Sequence, residues 1–384
     1  MKRLLYISLL ICFTTCHQQT TSHKQVPNST IQKIDALFKT VNSTTPGYMV
    51  GVIQDTSFLF QKGYGAANLE YSIPISSHSV FNIASLSKQF TAACIAILTV
   101  DNQVSLEDNI KKYIPNFPTY AHEIQLKHLI YMTSGINDYY YNPRKNGSDW
   151  STLHFFNVDT AIQASLSNES LMYAPGKQWS YSNINYMLLT KVVEKVSGMR
   201  FAEFAQQRLF EPLNMTQTLV NDDIFQVIPN RVVGYNFRDS SNIGWMIENG
   251  YCPPVREGYL QIQRKAPHYG GSGVYTSMND LKKWIANFQT KQLGGQVFYD
   301  LMHQTMKFDH DKANDAFGLV FGDFNGHDMI WYEGGDWGFS SYMMRFPQIN
   351  TTIVCFSNLG TGNARQFANQ VMDILVDDEI IRLE

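Results

Sequence analysis

Phe81-Asn-Ile-Ala-Ser-Leu-Ser-Lys-Gln-Phe-Thr-Ala-Ala-Cys-Ile-Ala-Ile-Leu98 is the stretch on which the reading of the chain turns. From Ala92 to Leu98 it offers almost no polar face, so the spacing predicts a long helix buried in the middle of a domain. Ser85 and Lys88 stand three apart at its start, where they share one helical face. Serine is a nucleophile only when a base takes its proton, and lysine is such a base only when neutral. Burial disfavours the ammonium, and so does the positive end of a helix dipole. Chance supplies the same tetrapeptide about once in a few hundred residues of ordinary composition. Partners elsewhere in the chain therefore decide what it means.

The chain has 384 residues, enough for two domains or for one domain with an insertion. Its net charge is −3 and only 16% of its residues are charged, with no basic stripe, so nucleic acid is not an expected partner. Hydrophobic residues at 44% and aromatics at 13% mark a globular protein. Lys2 and Arg3 precede an apolar run from Leu4 to Phe13 that is too short to span a bilayer. Residues 1–20 therefore read as an export signal, with a polar linker to about 28, and the protein as exported: periplasmic, at the cell surface or secreted. Cys16 raises lipidation as an alternative to cleavage, although Thr15 and Phe13 suit a lipoprotein signal poorly. Any membrane attachment would run through the N-terminus alone. Beyond the signal, Cys94 and Cys355 lie in apolar runs and read as core residues, and no cysteine or histidine spacing suits zinc.

The mature chain opens with a helix built on Ile31, Ile34, Leu37, Phe38 and Val41. Tyr48 to Ile53 and Ser57 to Gln61 read as two strands joined at Asp55-Thr56. After the buried helix, residues 101–118 form a loop with short helical pieces. Ile124 to Ile136 reads as a helix stopped by Gly135, and residues 137–172 as loop-heavy surface. Tyr181-Ser182-Asn183 lies just before an apolar helix running from Tyr186 to Val196. A tyrosine there can project into a cleft, where a nearby lysine stabilises its phenolate and lets it relay protons. Asn183 can orient Lys88 and a substrate amide. The same residues also suit a surface aromatic and a helix cap. Residues 219–265 show little periodicity. Gly270 to Trp284 reads as a glycine-rich turn, a short strand and a capped helix, without a phosphate-binding fingerprint. Met329 to Tyr332, Phe339 to Phe346 and Thr351 to Ser357 read as strands, followed by a helix over Ala364 to Val376. Strands at both ends with helices beside them imply an α/β (α+β) domain. Its antiparallel sheet would be built from both termini, with a mostly helical insertion between them.

Five stretches carry a family resemblance: Phe81 to Phe90; Leu126-Lys-His-Leu-Ile-Tyr-Met-Thr-Ser-Gly-Ile136; Pro175-Gly176 with Tyr181-Ser182-Asn183; Gly270-Gly-Ser-Gly-Val-Tyr-Thr-Ser-Met-Asn-Asp-Leu281; and Gly334-Gly-Asp-Trp-Gly-Phe-Ser-Ser341. Their order and spacing resemble the serine β-lactamase and penicillin-binding-protein-like hydrolases, in the class C β-lactamase, D-alanyl-D-alanine carboxypeptidase and esterase branch. The resemblance runs from about Gly63 to Gly360. It implies a hydrolase domain over 29–380 with a helical subdomain at about 101–235. By the same resemblance Ser85 is the nucleophile, Lys88 its base and Tyr181 a second proton shuttle. Backbone N–H groups of Ser85 and Gly335 would form the oxyanion hole. No metal or organic cofactor is implied, and the partner is a small-molecule or peptide substrate.

One departure stands out. Where the family usually carries Lys or His, then Thr, Ser or Gly, then Gly, this chain reads Tyr332-Glu333-Gly334. A carboxylate there would repel acidic substrates and hold Lys88 protonated. Alternatively Glu333 points away, or His327 or Arg345 supplies the missing cation. The expectation is a serine hydrolase working through an acyl-enzyme on an ester, amide or peptide, and at most a weak β-lactamase. The competing expectation is a secreted binding or scaffold protein that keeps the fold without turnover.

Overall fold

The computed structural model describes residues 26–140, 156–238, 257–306 and 314–383. The export signal with Cys16, and Cys252, lie outside them. A six-stranded antiparallel sheet forms the spine. Its strands are β1 (Tyr48–Gln54), β2 (Ser57–Tyr64), β3 (Val320–Phe324), β4 (His327–Asp336), β5 (Phe339–Phe346) and β6 (Thr351–Ser357). They lie in the order β3-β4-β5-β6-β1-β2, so the two ends of the chain meet where β6 pairs with β1, Tyr48 opposite Ser357. β5 and β6 are buried along their whole length, as near-continuous apolar runs covered on both faces should be. The strands expected at 48–53, 57–61, 339–346 and 351–357 are present. β4 runs longer than its apolar core, and β3, whose Val320-Phe-Gly-Asp-Phe324 is half exposed, had too little pattern to be read.

One face of the sheet is covered by α1 (Asn28–Leu37) and a C-terminal helix (Ala364–Asp377), whose apolar stripes close a core around Ile34, Phe38, Tyr342 and Met372. The other face packs on α2 (Lys88–Val100) and on the helical residues that follow it. In α2 every side chain from Lys88 to Leu98 is buried. Truncating one of its large apolar residues, such as Ile95, to Ala should cost about 2–5 kcal/mol. Cys94 and Cys355 are buried free thiols.

After α2 come α3 (Leu126–Ile130), α4 (Val158–Leu166), α5 (Asn183–Ser197) and α6 (Phe201–Ala205). α3 is shorter than its sequence suggests. The backbone turns at Met132 (φ +58) and again at Gly135 (φ +75), so Thr133 to Ile136 is a buried loop and not a helical turn. Its polar groups serve α5, with Ser134 Oγ donating to Asn185 Oδ1 at 2.6 Å. Two further helices, α7 (Met278–Thr290) and α8 (Gly295–Met302), precede β3, and the C-terminal helix is α9. Ser277 caps α7 by accepting from Asp280 N at 3.2 Å.

Candidate active site

Ser85 sits in a 3-10 turn, Ala84–Ser87, that opens directly into α2. Asn82 Oδ1 accepts from Ala84 N at 2.9 Å, and Ser87 Oγ accepts from Val274 N at 3.0 Å, so the turn is pinned at both ends. Ala84 has φ +50, a conformation that non-glycine residues hold only where their surroundings enforce it. Beside the turn runs the free edge of β4: β3 pairs only with His327 to Trp331, leaving 332–336 without a strand on that side. At Gly334 a Cβ would lie 2.8 Å from Ser85 N and 2.5 Å from Ser341 Oγ, so only glycine lets the strand approach this closely. Gly335 follows, with open space where its Cβ would be. Backbone donors on two adjacent segments beside a serine are what an oxyanion hole requires.

Lys88 is 0% exposed, and its Nζ meets four oxygens. Gly271 O lies at 2.6 Å, Tyr181 OH at 2.6 Å, Asn183 Oδ1 at 2.8 Å and Ser85 Oγ at 3.1 Å. The Gly271 and Asn183 oxygens can only accept. A neutral amine has two hydrogens, which can go to these two oxygens, leaving its one lone pair to accept from the hydroxyl of either Tyr181 or Ser85. Those hydroxyls are 2.7 Å apart. Burial lowers the Lys88 ammonium from 10.5 to about 7, Asp138 and Asp336 pull it back up, and Arg264 pushes it further down. The lysine is thus poised to change protonation near neutrality, as a general base should be.

Tyr181 and Asn183 reach Lys88 because of how α5 begins. Its first N–H groups receive no cap from their own segment. Asp138, 1% exposed, supplies it instead: its carboxylate accepts from Asn183 N, from Ile184 N at 3.3 Å and from Tyr140 N at 2.9 Å. A carboxylate at a helix N-terminus is favoured by the dipole and by the free donors there. A second anchor closes the other side. Asp336, at the end of β4, accepts from Arg264 Nε at 2.9 Å, Ser272 Oγ at 2.7 Å and Asn82 Nδ2 at 3.2 Å. Arg264 Nη2 donates to Tyr140 OH at 2.7 Å. Burial alone would raise the Asp336 carboxyl, but Arg264 and His268 reverse this and hold it well below the usual range. This ion pair ties together the Ser85 turn, the 138–140 loop, the Gly271-Ser272 turn and β4.

Tyr332 and Glu333 part company, because successive side chains of a strand face opposite ways. Tyr332 is buried in the core on the Lys88 side. Burial, with Tyr181, Tyr186 and Asp315 nearby, raises its hydroxyl well above 10. A neutral phenol therefore stands at Tyr332. Glu333 is exposed and pairs with Arg365 on α9 at 3.4 Å. Its side chain thus faces away from the side of β4 that Tyr332 and Lys88 share. With Gly334, Gly335 and Arg365 it lines a groove of about 610 Å³ along the start of α9. Neither expected substitute supplies the missing cation. His327 begins β4 at its far end, and Arg345 is buried against Phe288 and His303.

Asp138, Gly271, Arg264 and Asp336 were not read as site residues. Asp336 sits inside a quoted motif, but nothing in its neighbours announces a buried ion pair. Arg264 falls in the stretch without periodicity. Asp315, beside Tyr332 and Tyr186, was also passed over; burial raises its carboxyl to about 6, opposed by a hydrogen bond from Trp179. Among the described residues no cluster of His, Cys, Asp and Glu could hold a metal ion.

The chain resembles several known proteins. It is 26% identical over 307 residues to penicillin-binding protein 4* of Bacillus subtilis (strain 168), covering 78% of this chain and 65% of that one. It is 24% identical over 314 residues to a D-aminopeptidase of Gluconobacter oxydans (strain 621H), covering 82% and 56%. The chain thus spans about three-fifths of the length of these relatives. Among solved structures, D-amino acid amidase from Ochrobactrum anthropi SV3, complexed with L-phenylalanine amide, superposes with a TM-score of 0.73 at 19% identity, over 92% of this chain and 99% of that one. That likeness speaks for the fold, a β-lactamase/transpeptidase-type sheet and helices. A family model described as Beta-lactamase matches residues 32–376, nearly the whole described chain, and the chain belongs to the beta-lactamase family.

Proposed function

We propose that the chain is a serine hydrolase that works through an acyl-enzyme on an ester, amide or peptide. The observation that carries this is the buried Lys88, whose Nζ lies within hydrogen-bond distance of Ser85 Oγ and Tyr181 OH as well as of the acceptors Gly271 O and Asn183 Oδ1. Lys88, directly or through Tyr181, accepts the Ser85 proton as Oγ attacks the substrate carbonyl. The C–O bond to Ser85 forms as the carbonyl π pair moves onto oxygen, which rests against the N–H groups of Ser85 and Gly335. When the tetrahedral adduct collapses, Tyr181 returns the proton to the departing oxygen or nitrogen. A water deprotonated by the same pair then attacks the acyl-enzyme and frees Ser85.

Charge around the site supports neutral or amine-bearing substrates over acidic ones. Tyr332 offers no cation to a carboxylate at the position nearest Lys88, while in the adjoining groove Glu333 and Arg365 offset each other. The D-aminopeptidase and D-amino acid amidase among the similar proteins favour the same side. The non-catalytic alternative rests on the altered Tyr332-Glu333 pair, and the contact of Glu333 with Arg365 at 3.4 Å weighs against the Glu333 half of it. The test is a comparison of kcat/KM for a neutral aryl ester, a D-amino-acid amide and a cephalosporin. The first two should be turned over and the third poorly; cephalosporin turnover far above that of the ester would sink this assignment. Export, proposed from residues 1–20, is checked by cell fractionation, and recovery of the full-length chain in the cytoplasm would refute it.

A further inference from the structure

Arg345 is a buried cation with no counter-charge among the described residues. The residue is 6% exposed, in β5 opposite Ile330 of β4 and Thr352 of β6. Its Nη2 donates to His303 Nε2. His303 Nδ1 is 2.7 Å from Tyr299 O and must donate there, so Nε2 carries a lone pair and the imidazole is neutral. The guanidinium carbon lies 4.2 Å from the centre of the Phe288 ring, and Nε has no hydrogen-bond partner. No carboxylate among the described residues pairs with it. Arg264 makes the contrast, with its Nε bonded to both oxygens of Asp336. A buried charge is costly unless a partner of opposite sign meets it. An imidazole and an aromatic face offset only part of that cost.

Beside Arg345 opens a cavity of about 310 Å³. Arg345, Lys291, Asn350, Thr352 and Tyr299 are among its walls, and no Asp or Glu among the described residues lines it. Lys291 is held at its rim, 2.5 Å from Gln296 Oε1 and 4.8 Å from the centre of the Tyr299 ring. Two cations, the neutral hydrogen-bonding side chains of Gln289, Tyr299, Asn350 and Thr352, and no acid among the described lining residues describe a receptor for a small anion. The place is separate from the catalytic one. Gly334 and Ser341 face each other beside Ser85, and the Ile330–Arg345 pair lies four residues further along the same ladder, about 13 Å away.

We propose that this cavity is an oxyanion-binding site, taking a phosphate-type or carboxylate anion between Arg345 and Lys291. The test uses thermal unfolding and titration calorimetry on the whole protein at constant ionic strength, with inorganic phosphate, glutarate, and chloride as the control. Phosphate or glutarate should raise the wild-type melting temperature saturably, with one site per chain. Arg345→Met should weaken that binding by at least about tenfold. Without anion the same variant should melt no lower than wild type, since it removes an unpaired buried charge. Ester turnover at Ser85 should persist in it. A response to only one of the two anions supports the site and assigns its ligand. The proposal is overturned if neither anion does more than chloride, or if Arg345→Met keeps the full response. Should Arg345→Met not fold, Lys291→Met carries the test, and undiminished phosphate and glutarate affinity there overturns the two-cation site.

Discussion

Replacing Lys88 by Met should abolish acylation and change how stability depends on pH. Burial lowers the ammonium from 10.5 to about 7. A difference of about 3.5 pH units is worth about 5 kcal/mol. Below about pH 7 the lysine is charged both folded and unfolded, and the folded protein carries the whole penalty. Between about 7 and 10.5 it is neutral when folded and charged when unfolded. The unfolded state then binds more protons, so this group makes wild-type stability rise by about 1.4 kcal/mol per pH unit. Methionine has no such rise. It also leaves Gly271 O and Asn183 Oδ1 without a donor, at about 1–3 kcal/mol each. Near pH 6 the relief and the loss roughly cancel, and the variant should be close to wild type. Towards about pH 9.5 it should fall behind by about 3 kcal/mol more. Urea unfolding of both proteins at several pH values reads the difference, in which the titrating groups not coupled to Lys88 cancel. Parallel stability curves would refute a depressed Lys88 and the account of the base with it.

The remaining predictions concern the groups around Lys88. Tyr181→Phe removes the hydroxyl shared by Ser85 and Lys88 and should lower kcat by about 10²–10⁴-fold with a native melting temperature; a steady-state loss below tenfold would demote Tyr181. Asp138→Asn removes a negative charge that raises the Lys88 pKa, so the acidic limb of the kcat/KM profile should move to lower pH, and an unmoved limb would contradict this. Asp138→Ala also uncaps α5 and should cost about 1–3 kcal/mol in unfolding experiments. Tyr332→Lys puts an amine on the Lys88 side of β4 and should raise cephalosporin acylation relative to the ester; no change would mean that this position does not touch substrate.

The sequence yielded most where apolar pattern and motif coincide. The unbroken run from Ala92 to Leu98 dictated a buried helix, and the strands at Tyr48, Phe339 and Thr351 followed from β-rich runs between turn residues. Ser85, Lys88, Tyr181 and Asn183 were singled out in advance, and the structure brings all four within hydrogen-bond reach. What stayed hidden depends on three-dimensional placement. Asp138 caps a helix that begins 45 residues later, and a cap supplied from another segment leaves no local signature. The Arg264–Asp336 pair joins residues 72 apart through an aperiodic stretch. The two readings of Glu333, facing Lys88 or pointing away, stay open in the sequence because composition alone does not show which way a strand residue faces. Alternation along β4 settles that only once Gly334 is known to face Ser85.

The most direct test of the central claim, an activated nucleophile at Ser85, is intact mass after treatment with a fluorophosphonate serine-hydrolase probe, wild type beside Ser85→Ala. The geometry predicts one adduct per chain in wild type and none in the variant. A folded wild-type protein that takes up no probe, or a Ser85→Ala protein labelled as well as wild type, would contradict it.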